Sequence, residues 1–261
     1  MKSGGERGVF GARRPRVGVI IPALNEEKAI KLVLRDIPRS IVDEVIVVDN
    51  GSTDGTARAA ESLSATVQSE PKRGYGAACQ KGVACLGPEI EIVVFLDADY
   101  SDHPDELGTL IRPIAENLAD FVLGSRMLRK ESRKALTLQQ RWGNRLATKL
   151  VEWRFGYRFT DLGPFRAIRR DVLDRLYMQD RGFGWTVEMQ VKAACVGLRA
   201  LEVPVRYRSR IGRSKISGTV WGSLRAGVKI LHTIAKYALR FEPCRTRTDL
   251  KARGRRLSVY G

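Results

Sequence analysis

At 261 residues, 43% of them hydrophobic and with no internal repeat, the chain is long enough to bury one large core, and its composition excludes a disordered or fibrous protein. Its net charge of +17 is unevenly placed: residues 1–124 carry 14 Lys and Arg against 19 Asp and Glu, and residues 125–261 carry 32 against 10. An acidic half able to hold a metal is therefore joined to a basic half that should meet an anion, whether nucleic acid, phosphorylated substrate or acidic membrane surface.

Met1 to Arg16 is rich in Gly and Arg and lacks the apolar centre of a signal peptide, so residues 1–15 read as a flexible basic arm. Val17 to Pro22 reads as a first buried strand. Ala23 to Glu27 leads from it into an amphipathic run, Lys28 to Asp36, with Ile30, Leu34 and Ile37 at helical spacing. Val45 to Asp49 is a second strand, and Asn50 to Thr56 is turn chemistry in which Thr53 or Asp54 can cap a helix through Leu63. A short strand near Thr66 and Val67 precedes Lys72-Arg73-Gly74-Tyr75-Gly76, a Gly-rich helix entry. Ile92 to Leu96 follows, five apolar residues running straight into Asp97-Ala98-Asp99. A helix from about Pro104 to Asn117 and a strand Phe121 to Leu123, ending in Gly124-Ser125-Arg126, complete the first half. No uncharged apolar run approaches the roughly 18 residues that cross a bilayer. Cys79, Cys85, Cys195 and Cys244 show neither metal-ligand nor disulfide spacing, which points to a reducing cytosol.

Strands alternating with helices at this spacing predict an α/β fold with a mainly parallel sheet. Connection handedness then gathers the strand-end loops on one edge, so that Leu24 to Glu26, Asp49, Lys72 and Arg73, Asp97 to Asp99 and Arg126 share a cleft. Two carboxylates on a short loop there suit Mg²⁺ or Mn²⁺ with a substrate diphosphate. The competing reading has Asp99 or Asp102 capping the helix that begins near Pro104. Redox and ATPase readings fail on motif: the first strand turn, Pro22 to Glu26, contains no glycine, and no G-x-x-x-x-G-K-[ST] occurs.

Ile21-Pro22-Ala23-Leu24-Asn25-Glu26, Val47-Val48-Asp49-Asn50-Gly51-Ser52-Thr53-Asp54-Gly55-Thr56 and Asp97-Ala98-Asp99 resemble the motifs of family 2 glycosyltransferases. Within that family, four further stretches are similar to the dolichyl- and polyprenyl-phosphate mannose or glucose synthases. They are Gly124-Ser125-Arg126, Gln140-Arg141-Trp142-Gly143-Asn144, Thr160-Asp161-Leu162-Gly163-Pro164-Phe165-Arg166 and Gly212-Arg213-Ser214-Lys215. The resemblance spans Val17 to Leu239 and implies a glycosyltransferase A-type fold over residues 16–240. Residues 16–126 would form its nucleotide-sugar and metal half, 127–240 its basic acceptor half, and 241–261 a basic tail. It further implies that Pro22, Leu24, Asn25, Glu26, Asp49, Lys72, Gly76, Asp97, Ala98 and Asp99 bind the nucleotide sugar, with Mg²⁺ or Mn²⁺ on Asp97 and Asp99. Arg126, Arg141, Asp161, Arg213, Ser214 and Lys215 would serve the acceptor, and Asp97, Asp99, Arg126, Arg141 and Lys215 the catalysis. Asn50, where many relatives carry a second Asp, implies a changed contact, and Leu162-Gly163-Pro164, where the common pattern ends Ser-Gly-Phe, blurs the role of Asp161.

A hydroxyl nucleophile would want a general base, yet His103 and His232 are the only histidines and neither lies in a motif. A phosphate acceptor, largely dianionic at neutral pH, needs no base but does need guanidinium groups to hold it. That favours a phosphate acceptor, and the resemblance then implies an inverting transfer from GDP-mannose or UDP-glucose to a polyprenyl phosphate; a family 2 enzyme using a soluble or other lipid hydroxyl acceptor is the alternative. Plain structural readings stand beside these: Arg141 on an exposed face of a helix from Leu138 to Val151, Asp161 on turn amides, Glu188 as helix-start electrostatics, Trp142 and Trp153 as packing or interface residues. In the basic half, Leu201 to Val205 reads as a late strand. Ser217 to Leu239 reads as an amphipathic helix with Trp221, Leu224, Val228, Leu231, Ala235 and Leu239 near one face. Peripheral attachment to the cytoplasmic face of an anionic membrane is the expectation, and no specific nucleic-acid partner, since neither an RNA-binding aromatic signature nor a helix-turn-helix pattern is evident.

Overall fold

The order of elements along the chain is β1 (Val17–Ala23), α1 (Glu27–Asp36), β2 (Glu44–Asp49), α2 (Thr56–Glu61), β3 (Thr66–Ser69), α3 (Tyr75–Cys85), β4 (Ile92–Phe95), a 3₁₀ turn (Pro104–Glu106), α4 (Leu107–Ala115) and β5 (Phe121–Ser125). The second half adds α5 (Lys130–Ala135), α6 (Leu138–Phe155), β6 (Arg166–Arg169), α7 (Arg170–Arg175), α8 (Trp185–Val196), β7 (Ala200–Pro204) and α9 (Val220–Arg240). This computed structural model describes residues 13–212 and 220–240. Arg213, Ser214 and Lys215, most of the basic arm and the tail from residue 241 lie outside the described residues, as do the side chains of Trp221 and Leu224.

Seven strands form one sheet in the order β3-β2-β1-β4-β6-β5-β7. All pairings are parallel except those of β6, which runs antiparallel between β4 and β5. The sheet is buried on both faces, which is why its central strands are nearly continuous Val and Ile. Along β1, Val19 and Ile21 point to the layer of α1, α2 and α4, with Ile30, Leu34, Leu107 and Leu110. Ile20, between them, points to the layer of α3, α6 and α8, with Ala78, Val151 and Val187. β6 carries no expectation from sequence, and α8 only that Glu188 lies near a helix start. Arg166-Ala167-Ile168-Arg169 is short and has a charge at each end, although Arg166 is fully buried. Helix α8 is buried on every side, so its apolar residues show no period.

Helix α6 runs one turn beyond the Val151 expected. Thr137 and Gln140 close a capping box at its start, and Gly156, at φ 71°, ends it in the left-handed region. In the same layer α3 crosses the sheet at close range through Gly82, where an added Cβ would overlap Ile20 Cγ2 and stand 3.3 Å from Val48 Cγ2. Ile20 is fully buried and β-branched, so it has no rotamer to yield into. Gly82→Val is therefore expected to destabilise the fold by about 1–3 kcal/mol through overpacking, read as a fall in Tm by calorimetry.

Candidate active site

The loops that follow β1 and β2 are knitted together. Asn25, at φ 53°, donates its N–H to Ser52 Oγ (2.9 Å) and accepts from the Thr53 N–H at Oδ1 (2.7 Å). The Glu26 N–H donates to Thr56 Oγ1 (2.8 Å), whose hydroxyl is itself donated to Asp54, and Asp49 Oδ1 accepts from the Ser52 N–H (3.1 Å). Pro22 lies opposite Val48 in the sheet, half-buried like Leu24. The expected donor positions Pro22, Leu24, Asn25, Glu26 and Asp49 thus converge on one edge. Asn50 explains its departure from the family pattern. Its amide donates to the carbonyls of Glu70 (2.8 Å) and Lys72 (3.0 Å), and its Oδ1 accepts from the Gly74 N–H (2.7 Å). A carboxylate has no donor for those two carbonyls, so the loop carrying Lys72 is built around an amide. Lys72 itself is exposed on the rim.

Gly76, expected against the nucleotide sugar, packs against the protein's own backbone. An added Cβ would overlap the Asp180 carbonyl oxygen, and the N–H groups of Gly76 and Ala77 donate to the carbonyls of Gly182 (3.1 Å) and Arg181 (2.9 Å). Two of the first amides of α3 are therefore committed to protein, and the absence of a Cβ at Gly76 permits that close packing.

Beyond β4 three aspartates crowd together. Ala98 is buried between Asp97 and Asp99, and Asp102 is only 1% exposed. Asp97 Oδ1 and both carboxylate oxygens of Asp102 have no hydrogen-bond partner among the described residues; the buried Tyr75 hydroxyl faces Asp97 without reaching bonding geometry. Burial, and then the Asp99 charge, push Asp97 up to about 7. Burial followed by the Asp97 charge holds Asp102 well above the usual carboxylate range. Neither Asp99 nor Asp102 caps the helix that follows: the 3₁₀ turn carries no side-chain cap, and Asp99 Oδ1 accepts from the Ser101 N–H (2.9 Å). Two carboxylates with an orphaned oxygen between them and a third acid behind fit a divalent cation that takes its remaining ligands from a diphosphate and water. Among the described residues no group of three His, Cys, Asp or Glu makes a closed metal cage.

Arg210, not among the expected site residues, crosses this cluster. Its guanidinium pairs with Glu26 Oε1 (2.7 Å) and Asp99 Oδ2 (3.3 Å), while the Ile211 N–H donates to the Asp99 carbonyl (3.0 Å). The neighbouring Arg208 stacks on the Tyr100 ring, 3.3 Å from its centroid, and the backbone of Tyr207 pairs antiparallel with that of Asp102. Only its place in an arginine-rich run after β7 marked Arg210 in the sequence.

The other side of the site is organised by Asp161, which is fully buried. Its carboxylate takes Arg126 in a fork, Nε at 2.8 Å and Nη2 at 2.7 Å, and accepts the Arg126 N–H as well. This pairing outweighs burial and holds the Arg126 guanidinium firmly charged. Four side chains fix the turn that aims Asp161. Glu202 accepts the N–H groups of Thr160 (2.9 Å) and Asp161 (3.2 Å), and Asn144 bridges the Thr160 carbonyl and the Leu162 N–H, both at 2.8 Å. Gln190 donates to the Asp161 carbonyl (2.9 Å), and Arg166 donates to the carbonyls of Gly163 and Leu162. Asp161 is thus the partner of Arg126, and Glu202, Gln190 and Asn144 are supports that the sequence offered only as residues of a strand, a helix and a motif. The guanidinium of Arg141 donates to the carbonyls of Leu136 (3.2 Å) and Lys134 (3.3 Å) at the end of α5.

Two measurements follow from this geometry. Removing the guanidinium from Asp99 in Arg210→Ala should tighten Mn²⁺ binding several-fold in the absence of nucleotide, read by electron paramagnetic resonance, because a competing cation is gone. Glu202 is raised to about 7 by burial, from an ordinary value near 4.5 in the unfolded chain. Ionising it therefore costs the folded state: its penalty is absent below about 4.5 and complete above about 7. Stability of the wild type relative to Glu202→Gln should accordingly fall as pH rises through that window, measured as the difference in Tm.

Comparison with known proteins agrees with this architecture. Residues 18–177 match the Glycosyl transferase family 2 profile. An uncharacterised glycosyltransferase of Mycobacterium tuberculosis is 38% identical over 215 residues, which cover 80% of this chain and 94% of that protein. The undecaprenyl-phosphate mannosyltransferase of Micrococcus luteus is 32% identical over 255 residues, covering 90% of this chain and 100% of the relative. Among solved structures, glucosyl-3-phosphoglycerate synthase of Mycobacterium tuberculosis, in complex with Mn²⁺, uridine diphosphate and phosphoglyceric acid, superposes with a TM-score of 0.69 at 23% identity, over 86% of this chain and 78% of that one. Mannosyl-3-phosphoglycerate synthase of Rubrobacter xylanophilus gives a TM-score of 0.68 at 17% identity, over 89% and 78%. At those identities the structures show the fold alone, and it is the A-type glycosyltransferase fold expected. The profile match across more than half of the chain, with relatives above 30% identity, establishes that the chain belongs to glycosyl transferase family 2 and is a glycosyltransferase.

Proposed function

We propose that the enzyme is an inverting hexosyltransferase that moves mannose from GDP-mannose, or glucose from UDP-glucose, onto a polyprenyl phosphate at an anionic membrane surface. The observation that carries this reading is the pairing of an acidic cluster, Asp97, Asp99 and Asp102, with a rigidly held guanidinium, Arg126, and no histidine hydrogen-bonded or ion-paired to them among the described residues. The loops after β1 and β2, through Pro22, Leu24, Asn25, Glu26 and Asp49, frame the nucleotide. Mg²⁺ or Mn²⁺, as bound with uridine diphosphate in the synthase structures, would be held by Asp97 and Asp99 and would neutralise charge building on the leaving diphosphate. Asp97 has to surrender its proton to serve there, and its raised value means that this happens near neutrality. Arg126, oriented by Asp161, supplies fixed positive charge for the acceptor phosphate. A phosphate attacks as its own oxyanion, so no side chain need remove a proton in step with bond formation. In-line attack converts an α-linked donor into a β-linked product.

A second reading, a soluble phosphorylated acceptor, takes support from the phosphoglycerate synthases, whose structures contain phosphoglyceric acid. Those matches lie below 25% identity, whereas the undecaprenyl-phosphate enzyme is 32% identical and covers 90% of the chain, which favours the lipid phosphate. Incubating the protein with a panel of nucleotide sugars, Mg²⁺ or Mn²⁺ and a polyprenyl phosphate should move radiolabel from one donor into the lipid phase. Chelation by EDTA or Asp99→Ala should lower that transfer by about a hundredfold or more. Metal-dependent donor binding with label passing to phosphoglycerate instead would reject the lipid acceptor.

A further inference from the structure

Helix α6 has two apolar faces. Asn144, Ala147, Thr148, Val151 and Phe155 are buried, and at 3.6 residues per turn they occupy an arc of about 100°. Leu138, Trp142, Leu146 and Trp153 fall within about 80° on the opposite side, where they are 69%, 72%, 53% and 81% exposed. A solvated helix face ordinarily carries polar side chains, and a line of two indoles and two leucines facing outward marks a contact surface. Charge identifies the partner. Lys149 lies inside the stripe and Arg145 along its edge, both exposed. From Arg126 to Arg154 nine Lys and Arg stand against two carboxylates, Glu131 and Glu152. The adjoining α9, which packs on α6 and accepts Arg154 at the Ala238 carbonyl, exposes Val228, Leu231 and Leu239 in turn.

We propose that the outer face of α6 is a membrane-docking surface that lies in the headgroup layer of an anionic bilayer, with Trp142 and Trp153 at the acyl boundary and Arg145 and Lys149 on lipid phosphates. The inference deepens the lipid-phosphate reading and rests on it for its purpose. A second copy of the chain is the less fitting occupant, because a two-fold α6 contact would set Lys149 and Arg145 against their own copies. Indole rings at the boundary and cations on phosphates are what an anionic interface accepts together.

The test uses the full chain and vesicles of phosphatidylcholine with or without phosphatidylglycerol, with no sugar donor or polyprenyl lipid present. Wild type should sediment with the anionic vesicles, and brominated lipids should quench part of its tryptophan fluorescence. Trp142→Ser combined with Trp153→Ser should lower the partition by about tenfold or more. Both indoles are exposed, so the variant's Tm and its Mn²⁺-dependent nucleotide binding should match the wild type. An unchanged partition in the variant would overturn the proposal. So would a wild-type dimer that the double substitution dissociates while neither form binds vesicles. Vesicle binding lost in the variant, with no label reaching polyprenyl phosphate in the transfer assay, would uphold the surface and reject the acceptor reading; transfer to a detergent-dispersed lipid with no vesicle binding would do the reverse.

Discussion

Negative charge packed into the end of one strand is the constraint on which the rest depends. Asp97, Asp99 and Asp102 occupy six residues at the carboxyl edge of β4, in a site dry enough to raise the first and third of them. Like charges at such a place are tolerable only where cations are supplied, and the fold brings two from far along the chain, Arg126 after β5 and Arg210 after β7. Each arrives differently. Arg126 is locked by a buried partner of its own, Asp161, whereas Arg210 reaches directly across to Glu26 and Asp99. The first arrangement yields a fixed charge, the second one that a stronger ligand can displace.

The Asp161 turn shows what rigidity of that kind demands. Its backbone groups are taken up by Glu202, Asn144, Gln190 and Arg166, drawn from β7, α6, α8 and β6. A buried ion pair contributes little to stability over an apolar substitute, since desolvation offsets most of the attraction. Its value here is positional: the guanidinium of Arg126 is held at one place and in one orientation. The antiparallel insertion of β6 is part of the same device, because it carries Arg166 to the turn that it holds.

How far the sequence discloses this depends on the range of each interaction. β1, β2 and β4 were legible because strands buried on both faces must be apolar throughout, and Asp97-Ala98-Asp99 stood out because it breaks such a run without transition. Asp161 was placed on the acceptor side, yet its pairing with Arg126 spans 35 residues and has no local trace. Glu202 alternates within an ordinary strand, and Gln190 sits in a helix without periodicity, so neither could be told from structural polar residues. The contacts of Arg141 with the end of α5 and of Gly76 with the Asp180–Gly182 backbone have no trace in their motifs, since motif position does not specify which neighbour arrives. Arg213, Ser214 and Lys215 lie outside the described residues.

Helix α6 joins these scales. One face holds the Thr160–Leu162 turn through Asn144 and the other carries Trp142 and Trp153 outward, so that turn and the outer stripe are separated by a single helix, about 10 Å across. Withdrawing a hydrocarbon chain from a bilayer costs about 0.8 kcal/mol for each methylene exposed. A long prenyl tail could never be lifted into a distant cleft at that rate. With α6 resting on the headgroups, the acceptor phosphate would need to rise by little more than the helix diameter while its tail stayed in the membrane, so the thickness of one helix becomes the measure of how much lipid must be disturbed.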